Sequence, residues 1–447
     1  MRAASLPLLL GLLPGLLGAC ASAPSPSLAP ARAHPPAADT PPSDAKDPPS
    51  APAPAASATA SSPAPVTAGD VDPADLRAAN AFTSNLYARV KRTPGNIMIS
   101  ATSLRTALGV ALLGARGETA RQMAHALEYP ADLAKVAVLG KAETAAWTDA
   151  RGSTELVVAN RLWTDKSFPL KEDFTKAATD AFAVGVEPVD FTSAPADARR
   201  AINAWVSEKT ASKIPEVLPE GAVEKSTRVV VTNAIYFKAR WSSPFQKAAT
   251  KDEAFTTGAK TAAVVKVPTM HETGNHLFAQ VGAVKVLGLR YDQAQLSMMV
   301  VLPADTAAFA KLEESLSAET FDAWNKALAS QRVNVSLPRF AFQWGAPMEA
   351  ALQDLGMRDA FSGKADFKGI SEATGPKLQL SRVVQKTWVS VDENGTEAAA
   401  ASGIAMSVTS AQMGPIAEFK ADHPFLFFVY DAKRGRILFA GRVVDPR

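Results

Sequence analysis

Cysteine is almost missing from this 447-residue chain: Cys20 is the only one. Disulfides within the chain are excluded, and so is a thiolate metal cluster. Histidine is scarce too, at five: His34 in a proline-rich stretch, then His125, His271, His276 and His423. Only HETGNH, residues 271–276, groups two of them. Their spacing puts them about 140° apart around a helix, not on the single face that a zinc-protease HExxH needs. Gly274 and Asn275 favour a loop there. Also absent are the G-x-S-x-G nucleophile elbow, the G-x-x-x-x-G-K-[ST] phosphate loop and the G-x-G-x-x-G turn. A catalytic triad is recognised by geometry rather than motif, yet nothing in the chain asks for one. The neighbouring carboxylates Asp392–Glu393 and Glu313–Glu314 read as solvated faces. A net charge of +3, with no basic cluster interleaved with aromatics, argues against nucleic acid. The chain therefore does not read as an enzyme, and it implies no metal and no cofactor.

What is present is unevenly spread. Residues 1–19 read as an export signal, with Arg2 as the positive start and LPLLLGLLPGLL as an apolar run too short and interrupted to span a membrane. The run ends in LGAC, which resembles the lipobox of bacterial lipoproteins, whose cysteine becomes the lipidated N-terminus. That resemblance implies a membrane anchor at Cys20 and a place outside the cytoplasm. Ala21, where inner-membrane retention is associated with aspartate, favours the outer membrane. After Cys20, residues 20–71 are nearly all Ala, Pro, Ser and Thr, too poor in apolar side chains to offset the entropy of ordering. They read as a disordered tether. From residue 72 to 447 the composition is that of one folded domain with no second linker.

Within that domain, Leu76, Ala79, Phe82, Leu86 and Val90 fall at helical spacing behind Asp72-Pro73. NIMIS reads as a strand, and Ser103 as the N-cap of a buried helix LRTALGVALLGA. Gly117-Glu118-Thr119 restarts an amphipathic helix. ELVVANRLWT, RVVVTNAIYFKARW, LSMMVVLP and VNVSLPRFAF read as strands, PMEAALQDLG as a helix closed by Gly356, and FLFFVYD with RILFAGRVV as a hairpin. Helices gather early and strands late, which predicts an α+β class.

These segments, in this order, resemble the serpin family across 74–447. NIMISATSLRTALGVALLGARGETARQMAHAL, VVVTNAIYFKARW, LPRFAF, LGMRDAFSGKADFKGI and FKADHPFLFFVYDAKRGRILFAGRVVDP carry the likeness. The resemblance implies three β-sheets, about eight or nine helices and an exposed reactive loop at about 393–417. It further implies a monomeric, irreversible inhibitor of a serine protease, with cysteine proteases as further targets. The alternative it leaves is a non-inhibitory binding protein of the same fold.

ENGTEAAAASG, residues 393–403, resembles the serpin hinge: Glu393, Gly395, Thr396, Glu397, Ala398, Ala399, Ala400, Ala401 and Ser402. In a strand Thr396, Ala398, Ala400 and Ser402 share one face. All four are small and uncharged, so no buried charge opposes their entry into a sheet. Glu397, Ala399 and Ala401 take the other face, towards solvent. A central strand of about ten residues gains ladder bonds on both sides, on the order of 10 kcal/mol. Family spacing puts the cut bond at Thr409–Ser410, in GIAMSVTSAQMGP, which has no Arg or Lys and suits an elastase-like or subtilisin-like protease. Ser100, Ser103 and Asn233 fall where the family controls sheet opening. Gln385 replaces the usual histidine, so it can bridge Asn233 and Ser100 but cannot become charged at mildly acid pH. Trp241 falls at the entry point, and Arg339 is the partner expected for Glu393.

Overall fold

The computed structural model describes residues 72–151, 154–258, 262–292, 294–373, 377–396 and 415–447. Residues 1–71, where an export signal, a lipidated Cys20 and a tether are expected, lie outside the described residues. Nine α-helices form among them: α1 (Pro73–Val90), α2 (Ala101–Gly114), α3 (Gly117–Ala126), α4 (Leu133–Arg151), α5 (Glu172–Phe182), α6 (Pro195–Lys209), α7 (Phe309–Glu314), α8 (Ala318–Ala327) and α9 (Glu349–Asp354). Asp72 caps α1 by accepting from the Ala74 amide, with Pro73 in the first turn where no donor is needed. The start of α2 differs from expectation. It begins at Ala101 behind Ser100, and Ser103 sits inside the first turn because its hydroxyl is engaged by asparagines across the core. Gly109 and Gly114 let this helix be buried all round: an added Cβ would overlap the Phe182 ring at the first and Ile370 at the second.

The strands are β1 (Ile97–Ile99), β2 (Glu155–Asp165), β3 (Gly185–Val189), β4 (Val229–Arg240), β5 (Lys251–Thr256), β6 (Val264–Val281), β7 (Val284–Arg290) and β8 (Leu296–Leu302). They continue as β9 (Ala329–Pro338), β10 (Phe340–Pro347), β11 (Leu380–Asp392), β12 (Gly395–Thr396), β13 (Ala417–Lys420), β14 (Phe425–Asp431) and β15 (Arg436–Val443). Nine of them form a ladder ordered β1–β15–β14–β8–β7–β6–β9–β13, with β5 on β6. The long β6 serves two limbs, pairing early with β5 and β9 and at its end with β7. The implied third sheet is thus the β5–β6–β9–β13 limb, continuous with the rest through β6. HETGNH lies within β6 rather than in a loop, because ten paired residues along β9 outweigh the local preference of Gly274 and Asn275. On a strand, residues five apart face opposite ways. His271 accordingly meets Glu253 at 3.2 Å, and His276 meets Glu272 at 3.4 Å.

The other six strands form a sheet ordered β10–β11–β12–β4–β2–β3. Its central strand β4, VVVTNAIYFKAR, is buried on both faces, which is why it reads as a continuous β-branched and aromatic run. The inner face, with Ile235, Phe237, Val389 and Val391, packs on Met298, Val300, Phe427 and Phe439 of the larger sheet. The outer face, with Trp163, Val230 and Ala234, lies under Ile202 and Val206 of α6.

Candidate functional site

The middle of the six-stranded sheet is where the sequence-derived residues converge. β11 and β4 run parallel and pair directly from Val383↔Val231 to Trp388↔Tyr236. Above that level they part and admit β12, antiparallel to both. Thr396 stands between Val391 and Ala239, and Gly395 between Asp392 and Arg240. Only glycine fits the second of these places: its φ is +149°, and a Cβ would overlap the Ala239 carbonyl oxygen. Thr396 is fully buried, with its hydroxyl 2.8 Å from that of Tyr291. Burial pushes the Tyr291 phenol well above its ordinary pKa, with the Thr396 hydrogen bond a smaller opposing effect, so this contact is made by a neutral phenol.

Trp241 closes the entry. Its ring stacks on Tyr291 with centroids 4.7 Å apart, its indole N–H donates to the Asp392 carbonyl at 3.0 Å, and its amide donates to the Asn394 carbonyl at 2.9 Å. Glu393 is 3% exposed, not a solvated carboxylate. Thr250 donates to its Oε1 at 2.7 Å, while the Arg339 Nε reaches Oε2 only at 3.8 Å. Thr250 is therefore the nearer partner of the hinge glutamate, ahead of Arg339. Glu313 is not a solvated carboxylate either, since it accepts from Tyr87 and Arg442.

Lower in the sheet a row of buried polar side chains crosses three strands. Gln385 of β11 lies opposite Asn233 of β4, which lies opposite Asn160 of β2. Gln385 Nε2 donates to the Ser100 carbonyl at 2.9 Å and also to Asn233 Oδ1, and its Oε1 accepts from the Ser100 amide at 3.2 Å. Asn233 Nδ2 donates to Ser103 Oγ at 2.7 Å and to Asn160 Oδ1. Asn160 Nδ2 in turn donates to Ser103 Oγ at 3.0 Å. Ser100 Oγ ties the row to β15 through the Leu438 carbonyl. Every member is buried, so parting β11 from β4 breaks a satisfied network and exposes polar atoms that need new partners.

Ser100, Ser103, Asn233, Gln385, Trp241, Arg339, Glu393, Gly395 and Thr396 are thus gathered along one seam. Glu397 to Ser402, Thr409 and Ser410 lie outside the described residues. Three members of the seam carry no mark in the sequence: Asn160, Tyr291 and Thr250. Each reaches its partner across 57 or more residues of chain, and no local pattern signals such a contact.

The central strands of this sheet are thus parted at one end by Gly395 and Thr396, which pair with both. Comparison with known proteins identifies that architecture. The chain belongs to the serpin family: the family model described as "Serpin (serine protease inhibitor)" matches residues 77–446. The chain is 39% identical over 382 residues to the leukocyte elastase inhibitor of Bos taurus, covering 83% of this chain and 99% of that protein. With an uncharacterised serpin-like protein of Thermococcus kodakarensis it is 36% identical over 384 residues, covering 83% and 86%. Among solved structures, the thermophilic serpin tengpin in its native state superposes with a TM-score of 0.77 at 25% identity, covering 85% of this chain and 96% of that one. Thyroxine-binding globulin complexed with thyroxine does so with a TM-score of 0.73 at 25% identity, covering 83% and 99%. The matching family is described as one of serine protease inhibitors.

Proposed function

We propose that this chain inhibits a serine protease irreversibly, by letting the protease cut its loop and then drawing the hinge into the six-stranded sheet with the acyl-enzyme still attached. One observation carries the reading: the register of β12. Continued downward, each further hinge residue pairs one residue back along β4 and along β11. Ala398 then falls opposite Phe237 and Val389, Ala400 opposite Ile235 and Thr387, and Ser402 opposite Asn233 and Gln385. The small side chains enter the packed inner face, and the one hydroxyl arrives where the polar row needs a partner when its strands part. Glu397 falls opposite half-buried Lys238 and Ser390, where a carboxylate meets water.

The bond cut is Thr409–Ser410. A threonine preceded by Val408 suits a shallow primary pocket, and the 39% identity to a protein named as an elastase inhibitor supports an elastase-like target. A subtilisin-like protease has a pocket of the same kind. Incubation with either protease should give a covalent complex that survives boiling in SDS. Clean loop cleavage without complex would instead support a non-inhibitory binding protein, the role that the thyroxine complex of a fold neighbour suggests. Thr409→Arg should move inhibition towards trypsin-like proteases, and an unchanged target range would show that the bond is misassigned. The inhibitor acts as a monomer on a lipid anchor at Cys20, outside the cytoplasm and on the outer membrane by preference. LGAC and the Pro/Ala/Ser-rich tether support this. Incorporation of labelled palmitate should be lost in Cys20→Ser.

A further inference from the structure

Arginine carries only donors and keeps its charge, so an enclosed one needs both acceptors and a counter-charge. Arg436, the first residue of β15, has neither in full. Its side chain is 2% exposed, and Nε, Nη1 and Nη2 are all enclosed without a hydrogen-bond partner among the described residues. The carboxylate it approaches, Glu143 of α4, has its Oε1 3.7 Å from Nη2, beyond hydrogen-bond reach. Both oxygens of that carboxylate are already committed. Arg105 of α2 pairs with Oε1 through Nη1, and Tyr129 donates to Oε2 at 3.1 Å. Arg105 also takes the Leu127 and Glu128 carbonyls, at 2.8 and 2.9 Å, and lies 3.6 Å over the Tyr129 ring.

The other acceptors around the start of β15 are spent as well. The Gly435 carbonyl accepts from Asn80 Nδ2 at 2.8 Å, and Asn80 Oδ1 accepts from the Ile437 amide at 3.0 Å. Asp431, opposite Arg436 in the β14–β15 ladder, accepts from the Lys433 and Arg434 amides and from Arg434 Nη1. Asp75 of α1 is within electrostatic reach of both arginines, but it is only half-buried and hydrogen-bonds neither. Two enclosed cations thus share one enclosed carboxylate, and an unbalanced buried charge is among the costliest features a fold can carry. We infer that Arg436 holds a small monovalent anion, a halide such as chloride, where β15 meets α2 and α4. A single negative charge cancels the excess, whereas a dianion such as sulfate would reverse it. A monatomic ion also asks for no donor geometry of its own against nitrogens closed to solvent. The inference does not rest on the inhibitory reading. It makes the ion a fastener between α4 and β15, the strand whose Leu438 carbonyl anchors the polar row.

Thermal unfolding of the whole chain tests this, with chloride replacing gluconate at constant ionic strength so that surface screening stays fixed. At about ten times the dissociation constant, the folded-to-unfolded ratio should rise about elevenfold, which lifts Tm by about 2 °C for a domain of this size. Sulfate should not substitute for chloride. Arg436→Met keeps an aliphatic stem and loses every donor, so its Tm should not respond to chloride. It should be at least as stable as the parent in gluconate and lose that advantage as chloride rises. Asp75→Asn removes a nearby negative charge, so its response should begin at lower chloride than the parent's. Crystals of the parent grown with bromide should show the ion's anomalous scattering beside Arg436, a readout that needs no variant to fold. A parent Tm indifferent to chloride, an equal response in Arg436→Met, or bromide bound only at the surface would each overturn the site.

Discussion

Replacing Thr396 by arginine puts the seam geometry at risk directly. Thr396 is fully buried between Val391 and Ala239, and its hydroxyl meets Tyr291 at 2.8 Å. Arginine loses that hydrogen bond, worth about 1 kcal/mol. It must then bury a guanidinium with no acidic partner or be expelled from the seam, because the nearby Glu393 is already held by Thr250 and Arg339. Burying an unpaired charge costs several kcal/mol. If about 4 kcal/mol of this appears in the insertion barrier, insertion slows on the order of a thousandfold. Hydrolysis of the acyl-enzyme competes with insertion, so a delay of that size converts the inhibitor into a substrate. The assay titrates a fixed amount of an elastase-like protease and measures inhibitor consumed per enzyme inactivated, with the SDS-stable fraction read from a gel. Consumption should rise steeply, while the rate of loop cleavage stays as it was, since Thr409 lies well along the loop. An unchanged consumption ratio would refute the register and the mechanism built on it.

Other expectations follow from the buried polar groups. Gln385 does not titrate, so sheet opening through the polar row should not change between neutral and mildly acid pH. Gln385→His would add a group of ordinary pKa about 6.5, lowered by burial. The unfolded chain would take up that proton first, so stability should fall as pH drops through about 6.5. Urea unfolding at several pH values tests this, and a profile parallel to the parent's would count against it. Arg105 and Arg436 are equally buried but unequally served. Arg105 donates to the carbonyls of Leu127 and Glu128 and pairs with Glu143. Arg436 only approaches Glu143, at 3.7 Å, its three side-chain nitrogens have no hydrogen-bond partner among the described residues, and burial holds its pKa below the usual arginine value. Arg105→Met should lose about 3–5 kcal/mol, whereas Arg436→Met should be neutral or stabilising. Equal losses in thermal unfolding would contradict that asymmetry.

Much of this fold is legible in the residues alone, and the exceptions share a cause. The hairpin of β14 and β15 and the helix α1 follow from local pattern and punctuation: apolar runs around Gly435, and Asp72-Pro73 ahead of a helical stripe. HETGNH misleads because β9 supplies the pairing that turns two loop-forming residues into strand. Ser103 misleads because a hydroxyl suited to capping is drawn instead to Asn160 and Asn233. Glu393 looks solvated because its partners, Thr250 and Arg339, lie far away in the chain. Residue types reveal what the hinge lacks, namely bulk and charge. They do not reveal that Gly395 and Thr396 part β4 from β11, or that α6 covers the outer face, since both depend on which distant elements become neighbours.

Within the inhibitory reading, the length of the loop limits how far an uncut hinge can enter. Two-sided pairing should favour entry beyond Thr396, so an inhibitor must oppose it until the loop is cut. Residues 397–416 join β12 to Ala417, which β13 holds against Val333 of β9. β9 leads to the six-stranded sheet only through Phe340, level with Val391 and the entry point. Each residue that enters the seam lowers the front by about 3.3 Å and removes one residue from the remainder, which must climb back at no more than about 3.6 Å per residue. The uncut loop therefore runs out when about half of it has entered, near Met406, and earlier once any sideways path is included. On the continued register, residue 406 is the one that would meet Val229, the foot of β4. Full insertion and an intact loop are thus barely compatible even at the limit of extension. On that reading a cut at Thr409–Ser410 would lift the constraint and leave every residue needed to reach Val229 on the hinge side, so chain length would oppose entry before the cut alongside the polar row.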